Sequence, residues 1–151
     1  MHRVLVVNGP NLNWLGKREP ELYGVETLAD VETMLGARAA AWKGLELRFF
    51  QSNGEGEIID WLQENGPGAA GLIVNPGGLT HSSVSLRDAI AALRVATIEV
   101  HVSNVFAREP FRRRSLIAGV CSGSISGLGT YGYAAALESL ARRAGLRPAA
   151  P

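Results

Sequence analysis

A chain of 151 residues, 46% hydrophobic and 19% charged, is long enough for one domain with a sizeable core and too apolar to be disordered. Its net charge of +1 gives no bulk pull toward nucleic acid or an anionic membrane, and no apolar run approaches the roughly eighteen residues of a membrane helix. The single cysteine, Cys121, excludes an internal disulfide and a Cys-rich metal site, and makes the reducing cytoplasm the expected compartment.

Met1-His2-Arg3 leads directly into RVLVVN (3–8), so no secretory signal is expected ahead of it. That short apolar run suits a parallel strand buried on both faces. The chain then spends about fifteen residues on GPNLNWLGKREPELYG before the next periodic segment, where strand-to-helix loops ordinarily take about 2–6. TLADVETMLGARAAAW (27–42) puts Leu28, Val31, Leu35, Ala39 and Trp42 on one helical stripe, with Thr27 as N-cap. LELRFF (45–50) alternates as a strand. EGEIIDWLQENG (55–66) reads as a helix stopped at Gly66-Pro67. GLIVN (71–75) is a buried strand, and SVSLRDAIAALR (83–94) a helix with Leu86, Ala89, Ile90 and Leu93 inward. ATIEVHVS (96–103) is a strand, and SLIAGVCSGSISG (115–127) holds another. A last helix lies near 133–145, and LRPAAP (146–151) is a tail.

Alternating strands and helices predict one α/β domain over 1–151: a five-stranded parallel sheet, helices on both faces, flavodoxin-like in topology. Ligands of such sheets bind beyond the carboxyl ends of the strands, where strand order reverses. Two strands end there in Asn-Gly-Pro and Asn-Pro-Gly. Asn8 is read as turn chemistry, whereas Asn11, Asn75 and His81 could converge on one ligand. In IEVHVS, period-two alternation places Glu99, His101 and Ser103 on one face, opposite Ile98, Val100 and Val102. A Glu beside a His there orients the imidazole and favours its protonated form, as a proton donor needs. Arg108 and Arg112 follow four residues apart, on one face if the segment is helical, and Arg forks bind carboxylates. Arg113 and Arg114 read as a solvated face, and Asp88 as a surface carboxylate pairing with Arg87 or Arg94.

Five stretches, NGPNLNWLGKREPELYG, QSNGEGEIIDWL, NPGGLTHSSVSLRDA, IEVHVSNVFAREPFRRRS and GLGTYGYAAALE, together resemble the type II 3-dehydroquinate dehydratases, in order from about residue 4 to 143. The resemblance implies a flavodoxin-like fold and dehydration of 3-dehydroquinate to 3-dehydroshikimate with no cofactor and no metal, in the shikimate pathway of aromatic amino acid biosynthesis or in quinate catabolism. It implies Tyr23 as the base at C2, Arg18 as its activator, and Asn11 as a stabiliser of the enolate. His101 protonates the departing hydroxyl with Glu99 as partner. Asn75, His81, Val102, Ser103, Arg108 and Arg112 bind substrate. Asp88 enters from a neighbouring subunit of a dodecamer built as four trimers. An ordinary tyrosine ionises near pH 10, so a cation must approach a tyrosine base, and a loop at about 9–25 that closes over substrate can deliver Arg18 to Tyr23.

The chain departs from the family at Gly54 and Phe106, where His or an aromatic polar residue is usual, and at Arg113-Arg114. These positions carry no assigned catalytic role. Two other readings compete. A lysine Schiff base needs a desolvated Lys, and the two lysines, Lys17 and Lys43, sit in a loop and at a helix end. A non-catalytic flavodoxin-like module binding a small anion explains the fold but gives Tyr23 and the Glu99–His101 pair no task.

Overall fold

In a computed structural model describing residues 1–149, five strands, β1 (His2–Asn8), β2 (Leu45–Gln51), β3 (Gly71–Asn75), β4 (Thr97–His101) and β5 (Gly123–Ser126), form one parallel sheet. Their order is β2-β1-β3-β4-β5, the flavodoxin-like arrangement. Succession runs outward from β1 in one direction to β2 and in the other through β3, so the order reverses between β1 and β3. Register sets Asn8 level with Gln51 on one side and Asn75 on the other. Three polar strand ends therefore meet at the carboxyl rim.

Alternation along β1 explains the two layers. Val4 and Val6 pack with α2 (Leu28–Ala39) and α6 (Tyr131–Arg143), through Val31, Leu35, Leu137 and Leu140. Leu5 and Val7 point the other way, among Ile58 and Leu62 of α3 (Glu55–Asn65) and Leu86 and Ile90 of α5 (Val84–Leu93). All four β1 side chains are fully buried, and each such burial stabilises by about 1.5–3 kcal/mol. Two one-turn helices, α1 (Pro20–Tyr23) and α4 (Leu79–Ser82), lie in the loops after β1 and β3.

Several boundaries move for local reasons. Thr27 caps α2 reciprocally: its hydroxyl accepts from the Asp30 N–H at 3.2 Å and the Asp30 carboxylate accepts from the Thr27 N–H at 2.9 Å. The helix stops at Ala39, before Trp42, which is buried in the following turn and pairs its backbone with Pro148 of the tail. Ser83 caps α5 through the Leu86 N–H at 2.9 Å, and α6 begins two residues ahead of the expected 133. The stretch carrying Arg108 and Arg112 is not one helix. It forms 3-10 turns at Val105–Ala107 and Pro110–Arg113, with Glu109 extended between them because a residue before proline is held out of the helical region. Among the described residues no helix is long and apolar enough to cross a membrane.

Candidate active site

The loops leaving β1 and β3 press together at the rim. A Cβ at Gly9 would collide with the Pro76 carbonyl, and one at Gly77, whose φ is +58°, would sit 2.8 Å from the Pro10 carbonyl. This contact makes Asn-Gly-Pro and Asn-Pro-Gly a matched pair as well as two turns. Over them lies a cavity of about 170 Å³. Asn11, Arg18, Tyr23, Asn75, His81, His101, Val102, Ser103, Arg108 and Arg112 all line it. Ten of the twelve expected site residues are thus brought to one place from three stretches of the chain, 11–23, 75–81 and 101–112.

Asn11 adopts a left-handed backbone, φ 70°, which asparagine tolerates better than most residues. Its N–H donates to Asn53 Oδ1 at 2.9 Å, and Gln51 Nε2 donates to the same oxygen and to the Gly9 carbonyl, both at 3.2 Å. Gln51 and Asn53, unassigned from sequence, thus shape the first turn of the loop. The loop itself is structured: a 3-10 turn at Leu12–Trp14, with Leu12 and Leu15 buried, then α1 carrying Tyr23.

Tyr23 is half-buried, and its hydroxyl accepts from Arg108 Nη1 at 2.6 Å. The same nitrogen donates to Ser103 Oγ at 3.2 Å, which ties the guanidinium to the end of β4. Arg18, expected beside the Tyr23 oxygen, lies over the ring face at 5.6 Å and 3.9 Å from Glu19. The residue after it, Glu19, has φ 42°, in the left-handed region. The guanidinium on the phenol oxygen is therefore Arg108.

Across the cavity, His101 Nε2 meets Glu99 Oε2 at 3.0 Å, with Glu99 only 2% exposed. The contact spends Nε2 on the carboxylate and leaves Nδ1 for a ligand. Glu99 also accepts from Ser115 at 2.6 Å and Ser124 at 3.4 Å. Burial pushes its carboxyl up, but the bonds from His101, Ser115 and Ser124 and the His101 charge outweigh this and hold it below the ordinary value. Glu99 itself faces a second cavity of about 250 Å³, behind His101, shared with Ser115, Ser124 and Arg113. Ser115 was not foreseen; its hydroxyl also accepts the Ala118 N–H at 3.0 Å, which aims its proton at Glu99.

His81 Nδ1 donates to the Arg114 carbonyl at 2.7 Å, which can only accept. Arg112 Nε donates to Glu109 at 2.6 Å. Asp88 stands apart from the cavity: it is exposed on α5 and paired with Arg87 at 2.8 Å. Asn8, expected in turn chemistry, is 5% exposed and bonded to Tyr133. Lys17 and Lys43 are both exposed. Burial raises the Cys121 thiol to about 12, with the Glu99 charge adding to the effect, so it is an inert side chain. Among the described residues no three His, Cys, Asp or Glu side chains cluster as metal ligands.

The family described as dehydroquinase class II matches residues 2–141. A 3-dehydroquinate dehydratase of Halothermothrix orenii is 54% identical over 140 residues, covering 93% of this chain and 94% of the relative. One from Chelativorans is 55% identical over 141 residues, covering 93% and 97%. The crystal structure of a type II dehydroquinase from Butyrivibrio crossotus superposes with a TM-score of 0.88 at 44% identity, covering 92% of this chain and 97% of that one.

Proposed function

The chain belongs to the class II dehydroquinase family, and from that premise we propose that it is a hydro-lyase that converts 3-dehydroquinate to 3-dehydroshikimate and water. One observation supports this reading above the others. A single cavity holds a tyrosine hydroxyl gripped by a guanidinium and an imidazole backed by a buried carboxylate, the base and acid that such a dehydration needs.

In this reading Tyr23, as phenolate, takes the proton from C2. The C–H electron pair moves into the adjacent carbonyl to give an enolate, which Asn11 stabilises by hydrogen bonding. A cation about 4 Å from a phenolate at an effective dielectric near 20 is worth about 4 kcal/mol, less where solvent reaches it. Arg108 supplies that charge at the oxygen, and Arg18 adds to it from the ring face. The enolate then collapses, the C1–O bond breaks, and His101 Nδ1 gives its proton to the departing hydroxyl. Glu99 stabilises the imidazolium before the transfer and fixes the ring throughout. Tyr23 ends protonated and His101 neutral, so one proton must travel between them through solvent before the next turnover.

Asn75, His81, Arg112 and the Val102-Ser103 segment hold the substrate hydroxyls and carboxylate. The loop at 9–25 acts as a lid: its Tyr23 closes onto Arg108 of the rigid rim, which also accounts for its length. Four trimers assemble into a dodecamer in which Asp88 of one subunit balances Arg112 of the next. The reaction serves aromatic amino acid biosynthesis through the shikimate pathway, or quinate catabolism, in the cytoplasm.

The deciding experiment adds 3-dehydroquinate to the purified protein and follows the ultraviolet absorbance of the conjugated enone. Absorbance rises with chelator present and is unaffected by borohydride. A flat trace would leave the binding-module reading, and covalent trapping at Lys17 or Lys43 would establish the Schiff base.

A further inference from the structure

Asn8 and Asn75 end neighbouring strands at the same level, and Tyr133 of α6 lies wholly buried against both. The Tyr133 hydroxyl donates to Asn8 Oδ1 at 2.6 Å and accepts from Asn75 Nδ2 at 2.9 Å. Asn75 Oδ1 in turn accepts the Gly77 N–H at 3.3 Å.

The polarity of this chain follows from its one immovable donor. A backbone N–H only donates, so Asn75 must turn its oxygen to Gly77 and its NH₂ to Tyr133. The Tyr133 oxygen is then taken as an acceptor, and its single proton goes to Asn8, whose oxygen must face it. The reverse order would set an N–H against an N–H at Gly77. Burial keeps the phenol protonated, pushing it well above the ordinary tyrosine range against the opposing bond from Asn75. Tyr133 is thus the opposite of Tyr23: a tyrosine built to keep its proton.

We infer that Tyr133 and Asn8 are positioning residues for substrate, locking the Asn75 amide in one of its two orientations so that it meets a ligand hydroxyl with a fixed donor and acceptor. After its bonds to Tyr133 and Gly77, Asn75 keeps one N–H and one carbonyl lone pair. That pair matches a hydroxyl, which both accepts and donates. Without Tyr133 the orientation rests on the 3.3 Å bond from the Gly77 N–H alone, and the more loosely held amide meets the ligand in its serving orientation for less of the time. The inference rests on the reading of Asn75 as a substrate-binding residue.

The test is a double-mutant cycle on the whole protein with 3-dehydroquinate. Tyr133→Phe keeps the ring in the core and removes both bonds; it should raise KM about 5–20-fold, with kcat within about 3-fold and an unchanged pH profile. In an Asn75→Ala background the same change should add nothing to KM. Asn8→Ala, a smaller change that leaves the α6 core intact, should show the same pattern more weakly and serves if Tyr133→Phe does not fold. A folded variant with normal KM, or an equal KM penalty with and without Asn75, would overturn the inference. Normal kinetics in Asn75→Ala alone would remove Asn75 from substrate binding and the inference with it, while wild-type turnover would leave the dehydratase reading standing.

Discussion

Glu99→Gln is the sharpest probe of the acid half of the site, because it changes charge with almost no change in shape. Three donors converge on the carboxylate: His101 at 3.0 Å, Ser115 at 2.6 Å and Ser124 at 3.4 Å. A glutamine has one oxygen and one NH₂ to offer them. If the NH₂ faces Ser115, it meets a hydroxyl already accepting the Ala118 N–H. If it faces His101, the imidazole must present a bare nitrogen and stay neutral. Either way one charge-assisted bond is lost. Such bonds contribute about 1.5–3 kcal/mol, and a site 2% exposed gives solvent little chance to replace one. The expected cost is about 10–150-fold in kcat, with KM within about 3-fold, since Glu99 touches substrate only through His101. Initial rates from enone absorbance measure it. A Glu99→Gln enzyme with near-normal kcat would refute the claim that a carboxylate-backed imidazole is the proton donor.

The other half of the site should respond as strongly: Tyr23→Phe lowers kcat by about 10²–10⁴-fold while substrate still binds, because the ring remains. Arg108→Met should cost more kcat than Arg18→Met, since Arg108 holds the phenol oxygen at 2.6 Å and Arg18 the ring face; the opposite ranking in steady-state kinetics would restore Arg18 as principal activator. Glu99 also carries a pH signature. Its carboxyl is held below the ordinary 4.5, so its stabilisation is complete above that value and lost as pH falls through the lower folded-state value. Thermal denaturation should therefore show wild type losing more stability on acidification than Glu99→Gln, and parallel curves would contradict the network. Asp88→Asn should reduce activity about tenfold and loosen assembly together, and sedimentation of a fully active monomer would dispose of the shared site.

Much of this protein is determined along the chain itself. Period-two alternation in IEVHVS placed Glu99 and His101 on one buried face, because a strand has no other way to arrange neighbouring side chains. Apolar runs and turn residues located the first four strands to within a residue or two and the fifth only as lying within 115–127, and the succession of strand and helix implied the parallel sheet. The rim residues Asn11, Asn75 and His81 could be named from the place of their motifs at strand ends.

Contacts between distant segments were a matter for the folded chain. Tyr23 and Arg108 are 85 residues apart, and no local pattern pairs them. Arg18, five residues from Tyr23, was the activator that the resemblance implied, but in the folded chain it lies over the ring face while Ser103 anchors Arg108 at the strand end, on the phenol oxygen. The Asn8 side chain looked like turn chemistry because its partner, Tyr133, is 125 residues away on the last helix. Ser115 became visible as a Glu99 ligand only once the turn after the Arg run folded back against β4. Hydrogen-bond direction and charge pairing depend on which side chains share a few ångströms, and in a parallel sheet with crossover helices those neighbours come from opposite ends of the chain.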